Sequence, residues 1–242
     1  MNDYVFFFEP AKPTIHPINN PFFKENTMKV AILGTGAVGI DLAKGFVAQG
    51  HSVVFGTRDA AGAPAQKAVT AIAGSQAMPY ADAAKTGDLA VLVTPWSATQ
   101  STIGLVGAAN LAGKLVIDVT NPLDFSTGKP KLVLGFPNSA GAQVQAWLPQ
   151  AHVVKAFNMI GSPHMVNPQF ADGKPDLFIA GNDAAAKKQT AEIIKSFGWR
   201  SAIDMGNIDS SYLLEALAMT WIEYGAARNH WTHGFSLLRA QA

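Results

Sequence analysis

From Met28 onward, short apolar runs alternate with longer stretches that are apolar on one helical face. Val30 to Leu33 reads as a buried strand and Ile40 to Gln49 as a helix. His51 to Phe55 resumes as a strand after a Gly50 stop. The same reading predicts a helix over Ala63 to Ala73, a strand over Asp88 to Thr94, a helix over Ser97 to Ala109 and a strand over Lys114 to Asp118. Gly128, Pro130, Gly135 and Pro137 mark Leu123 to Pro137 as a loop, and Ser139 is placed to cap a helix ending at Leu148. Strands at His152 to Phe157 and Leu177 to Ala180 follow. Then come a helix from Ala184 to Phe197 and a last strand from Arg200 to Asp204. Leu214, Leu217, Ala218, Trp221 and Ile222 fall at i, i+3, i+4, i+7 and i+8, an apolar stripe on a tail helix. Strand and helix in alternation predict an α/β fold: a doubly wound parallel sheet with a small C-terminal helical lobe.

The junction of the first strand and first helix carries chemistry. Gly34-Thr35-Gly36-Ala37-Val38-Gly39 has G-x-G-x-x-G spacing between them, the arrangement of a Rossmann dinucleotide site. The first glycine permits the turn, and the second lets the backbone approach a pyrophosphate. The third permits close strand–helix packing, with the anion on the helix N-terminus. The second strand runs into Gly56-Thr57-Arg58, where a carboxylate would otherwise hold the ribose 2′-hydroxyl of NAD. A hydroxyl and a guanidinium suit a 2′-phosphate, so the expected cofactor is NADP(H). Asp59 is the competing reading, an NAD carboxylate one residue late.

Ligands in an open parallel sheet lie beyond the carboxyl ends of its strands. Three further segments are predicted there: Thr94-Pro95-Trp96, Thr120-Asn121-Pro122, and Phe157 to Ser162, which includes Asn158, Met159, Ile160 and Gly161. Each joins an apolar platform to a small polar group, as two flat rings exchanging hydride require; positioning then supplies catalysis without a titrating residue. Taken singly, each segment reads more readily as a strand end, with Trp96 in the core; three at consecutive strand ends point to a cofactor site. His230 and His233 have i, i+3 spacing but no neighbouring acid to complete a metal site, and read as surface histidines. His164 follows Gly161 as a candidate substrate contact, and Lys155, inside a strand, reads as a paired or snorkelling lysine.

Composition narrows the field. Apolar residues make up 48% of the 242 and charged residues 14%, so a large core is expected. Eighteen Lys and Arg nearly balance seventeen Asp and Glu, which argues against nucleic acid or an anionic membrane as partner. There is no cysteine, and no apolar run approaches the ~20 residues that span a bilayer, so a cytoplasmic location is expected. Residues 1–27 contain four prolines and the run Tyr4-Val5-Phe6-Phe7-Phe8, without the features of a signal peptide. They read as an extension, or else as an arm whose aromatic residues dock on a neighbouring subunit. The chain thus divides into this extension, a dinucleotide-binding domain over 28–150, and a smaller α/β lobe over 151–242 that completes an acceptor site.

Seven segments in order resemble the NADP-dependent oxidoreductase family typified by the deazaflavin-coenzyme:NADP reductase. They are MKVAILGTGAVG, VVFGTRD, DLAVLVTPW, LVIDVTNPL, VVKAFNMIG, DLFIAGND and LLEALAMTWIEYG, and the resemblance spans roughly Met28 to Leu238. It implies that Thr35, Gly36, Ala37 and Val38 line the pyrophosphate and that Thr57 and Arg58 hold the 2′-phosphate. Thr94, Pro95, Asn121 and Pro122 would flank the nicotinamide, and Asn158 to Gly161 would meet a flavin or deazaflavin ring. The family tends to carry histidine where Asn158 stands. The AFN form is also similar to the reductase domain of transmembrane ferric reductases, which pass hydride from NADPH to FAD. A basic residue often follows the GTR-like motif by about four positions, where this chain has Gly62.

The expected function is therefore hydride transfer between NADP(H) and a flavin or deazaflavin as the small-molecule partner, with a homodimer left open. Reduction of a small imine or keto substrate is the second reading, against which stands the short stretch after Asp204. A non-enzymatic NADPH-binding regulatory module is the third.

Overall fold

The computed structural model describes residues 27–240, so the expectation for the N-terminal extension falls, apart from Thr27, outside the described residues. In chain order the elements are β1 (Lys29–Leu33), α1 (Ala37–Ala48), β2 (Ser52–Thr57), α2 (Ala63–Ala71), β3 (Gln76–Pro79) and α3 (Tyr80–Thr86). Next come β4 (Leu89–Leu92), α4 (Trp96–Val106), β5 (Leu115–Asp118), β6 (Leu123–Asp124), β7 (Lys131–Leu132) and α5 (Ala140–Trp147). The chain continues with β8 (His152–Lys155), β9 (Asp176–Gly181), α6 (Ala184–Ser196), β10 (Ser201–Asp204) and α7 (Ser211–Arg228).

Eight strands form one sheet in the order β3-β2-β1-β4-β5-β8-β9-β10. Strand periodicity splits its two faces. Val30 and Ile32 of β1 pack with Phe46 of α1, Ala68 of α2 and Phe197 after α6. Ala31 and Leu33 pack with Tyr80 and Ala83 of α3, Ile103 of α4 and Val144 of α5. This is the α/β sandwich that the alternating pattern predicts, a Rossmann fold. The sheet is continuous past residue 150, because β5 and β8 pair in parallel.

Two features depart from the sequence reading. The sheet is parallel from β3 to β8, but β9 runs antiparallel to β8. A parallel return needs a crossover of a dozen or more residues, usually helical. The segment between β8 and β9 holds only a single 3-10 turn at Ser162–His164, so it re-enters at the end it left. The second departure is β3 and α3, which the pattern did not reveal. β3 is an exposed edge strand, QAMP, without alternation, and α3 is seven residues long. Lys114 anchors α3 from outside, its Nζ donating to the carbonyls of Ala84, Lys85 and Gly87 at 2.8, 3.2 and 2.7 Å. Within the expected loop over Leu123 to Pro137, β6 and β7 form a short hairpin.

The tail after α7 returns to the sheet edge at Asp176. This buried carboxylate accepts hydrogen bonds from Arg200, from Ser201 Oγ at 2.7 Å and from the Leu237 N–H at 2.8 Å. Burial would raise its pKa, but these donors and the guanidinium charge hold it below the usual carboxylate value. Its contribution is thus present above the ordinary Asp range and is lost as pH falls through the lower native value. Asp176→Ala should cost about 1.5–3 kcal/mol at pH 7. Urea unfolding should show the gap between variant and wild type narrowing at about pH 3; an equal gap at both pH values would refute the anchor.

Candidate active site

All the segments singled out by the sequence lie at the carboxyl ends of β1, β2, β4, β5 and β8. The glycine loop leaves β1 at Gly34, whose φ of +132° only glycine adopts comfortably. The Gly34 N–H donates to the Gly56 carbonyl at 3.1 Å, locking the loop to the end of β2. A Cβ on Gly39 would meet the Gly34 carbonyl oxygen at 2.8 Å, so only glycine lets α1 sit this close to the loop. Gly36 is the opposite case: nothing lies within 4 Å of where its Cβ would be. Its backbone faces open space at the N-terminus of α1, a twelve-residue helix with no acidic residue in its first turn. That is the cradle a pyrophosphate requires, so the residues fit a dinucleotide.

A cavity of about 560 Å³ opens beside it, lined by Thr35, Gly36 and Ala37 on one side and Ala63, Pro64 and Lys67 of α2 on the other. Thr57 Oγ1 is held in its own turn, 3.4 Å from the Asp59 N–H, and Arg58 is exposed. Asp59 Oδ1 accepts from the Ala61 N–H at 3.0 Å. The carboxylate therefore serves its own loop, which weighs against Asp59 as a ribose ligand.

On the other side, Thr94 is buried at the end of β4 with its Oγ1 3.0 Å from Thr99 Oγ1, and Pro95 precedes α4. Trp96 stacks on Trp147 at 5.6 Å and packs against the apolar cluster of that face. Asn121 and Asn158 join the ends of β5 and β8. Asn121 Nδ2 donates to the Asn158 carbonyl at 2.7 Å, and Asn158 Nδ2 donates to Asn121 Oδ1 and the Leu214 carbonyl, both at 2.9 Å. Since both partners of Asn158 Nδ2 are acceptors, the amide orientation is fixed. Its Oδ1 is left as a buried acceptor without a donor. Met159 and Ile160 point into apolar clusters, and Pro122 is buried. Gly161 lies under Trp221, where a Cβ would meet the indole at 3.1 Å.

Beneath this pair is a charged cluster. Lys155 is fully buried, its Nζ 2.7 Å from Asp118 Oδ2, 3.1 Å from Glu215 Oε1 and 2.7 Å from the Thr120 carbonyl. It is paired and does not snorkel. Asp118 Oδ1 accepts from the Thr120 N–H and hydroxyl at 2.9 and 2.7 Å. Glu215 accepts from the Ala140 and Gly141 N–H groups at 3.0 Å, at the N-terminus of α5. Burial opposes the charge on Lys155, but the two carboxylates outweigh it and raise its pKa above the usual lysine value. The sequence showed the lysine; its partners, 37 and 60 positions away, had no local signal.

His233 is not a surface residue. It is half-buried, stacked on Trp221 at 4.7 Å, with Nε2 3.0 Å from the Trp221 carbonyl. His164 rests against Phe170, and burial, then the charge of His233, lowers its pKa. Among the described residues no group of three His, Asp or Glu could hold a metal, and no helix is long and apolar enough to cross a membrane.

Comparison with known proteins agrees with this geometry. Residues 29–122 match the family described as "NADP oxidoreductase coenzyme F420-dependent". The chain is 33% identical over 202 residues to the F420-dependent NADP reductase of Methanocaldococcus jannaschii, covering 78% of this chain and 89% of that protein. It is 29% identical over 192 residues to the metalloreductase STEAP3 of Rattus norvegicus, covering 79% of this chain and 36% of that one. The crystal structure of a putative F420-dependent NADP reductase from Arthrobacter superposes with a TM-score of 0.83 at 37% identity, over 88% of this chain and all of that one. Fold and site thus define an NADP-dependent oxidoreductase. The chain belongs to the family of F420-dependent NADP oxidoreductases.

Proposed function

We propose that the chain transfers hydride between NADP(H), held by Gly34 to Gly39, Thr57 and Arg58, and a flavin or deazaflavin ring held at Asn158 to Gly161. The observation that carries this is the Asn121–Asn158 pair, which joins two strand ends and leaves Asn158 Oδ1 buried without a donor. A buried acceptor without a donor costs about 1–3 kcal/mol, which an N–H on a bound ring or carboxamide recovers. The nicotinamide supplies the hydride when bound. The chain's own groups orient and exclude water: Thr94, Pro95, Asn121 and Pro122 at the strand ends, with Met159 and Ile160 packed below and Trp221 over Gly161. No acid or base is required, because a hydride carries its own electron pair between positioned rings. The F420-dependent and metalloreductase names of its relatives support a redox acceptor of this kind.

Steady-state NADPH oxidation with FMN, FAD and a deazaflavin tests the assignment. Turnover with at least one of them is expected. Turnover only with imines or ketones would favour the second reading, and none with any acceptor would leave an NADPH-binding module. Gly161→Val, pressing on Trp221, should leave the NADPH dissociation constant within about twofold and lower flavin turnover about tenfold or more, since ring positioning is sensitive to an ångström. Unchanged turnover would make this loop structural.

A further inference from the structure

We propose that Lys67 is a second cation of the adenosine 2′-phosphate subsite, acting with Arg58. This rests on the NADP(H) reading above. α2 begins five residues after Arg58, at the carboxyl end of β2, where the 2′ substituent of the adenosine ribose belongs. Ala63 and Lys67 share one face of α2, and both line the cavity facing Thr35 and Gly36.

The charges around that cavity leave a place for Lys67. A phosphate monoester is nearly doubly charged at neutral pH. Asp41 of α1 lines the same cavity and opposes an anion. Lys44, the nearest cation on α1, is taken up by Asp41 at 2.7 Å, and Asp41 also accepts from Ser162 Oγ at 2.8 Å. Arg58 alone therefore leaves the phosphate under-neutralised. Among the described residues Lys67 forms no ion pair. Gly62, the position nearer Arg58, carries no side chain, and a Cβ there would press on Asp59 Oδ2 at 2.8 Å, with Oδ1 of that carboxylate already bound by Ala61. The next position facing the cavity that carries a cation is Lys67.

The test is equilibrium titration of NADPH and NADH, followed by intrinsic fluorescence or calorimetry, on wild type, Lys67→Ala, Lys67→Arg and Arg58→Ala. Lys67 is exposed, so its replacement leaves the fold intact. Lys67→Ala is expected to weaken NADPH about five- to tenfold and leave NADH within twofold, while Lys67→Arg retains NADPH affinity. Unchanged NADPH binding in Lys67→Ala, with a selective loss in Arg58→Ala, overturns the role of Lys67 alone. Equal losses of NADPH and NADH in Lys67→Ala would place it on the diphosphate and likewise overturn the proposal. No selective loss in Arg58→Ala would instead refute the underlying 2′-phosphate reading.

Discussion

Replacing Lys155 with methionine is expected to cost about 3–5 kcal/mol of folding stability, because two carboxylates would remain buried without their cation. Asp118 and Glu215 are both fully enclosed, and the α5 amides on Glu215 cannot neutralise two charges. Glu215→Gln should cost less, since Lys155 keeps Asp118. The triple change Lys155→Met, Asp118→Asn, Glu215→Gln should recover part of the loss, because no charge is then stranded. The sign of the pH dependence follows from the raised pKa of Lys155: its contribution is full below the ordinary lysine value and disappears as pH rises through the higher native one. Urea midpoints with unchanged m-values would measure the series. A loss under about 1 kcal/mol in Lys155→Met would show that the cluster is hydrated and weak.

Two glycines three positions apart should fail in opposite ways. At Gly36 a Cβ meets no atom within 4 Å, so Gly36→Val has room at its branch point, and the backbone there, at φ −77° and ψ 179°, suits any residue. Thermal unfolding should change little while NADPH affinity falls on the order of a hundredfold, about 2.7 kcal/mol, as the new side chain fills the approach to the phosphates. Gly39→Val drives a methine against the Gly34 carbonyl and Ile32, at 2.8 and 3.0 Å, so it should lower the melting temperature itself. Wild-type NADPH binding by Gly36→Val would move the diphosphate away from this loop.

The strands that alternate with helices were legible because buried parallel strands are continuous apolar runs, as in Val30 to Leu33 and Leu89 to Leu92. The glycine loop was legible because its spacing is local. What escaped detection was either short or distant. β3 lacks a pattern because it is an exposed edge, and the reversal at β9 depends on what the intervening loop fails to form. His152 to Phe157 read as one strand, yet pairing stops at Lys155 and Phe157 turns to φ 60°. Asn158 was singled out, but its pairing with Asn121, 37 positions earlier, is a property of adjacent strand ends. Likewise Lys67 has no motif of its own, and only the placement of α2 across the cavity from the glycine loop brings it there.

The reversal at β9 also bears on how such a protein can be redesigned. Because β8 ends and β9 begins on the same rim of the sheet, the segment between Lys155 and Asp176 is a closed excursion whose two roots stay fixed. Its exposed stretch, Ala171 to Lys174, can change in length and sequence without severing a crossover or shifting the register of the six parallel strands, whereas Phe157, Ile160 and Met165 belong to the core. A graft between these two roots would therefore have to keep those core residues and the Asn121–Asn158 pair, and only the exposed turn is free to be exchanged.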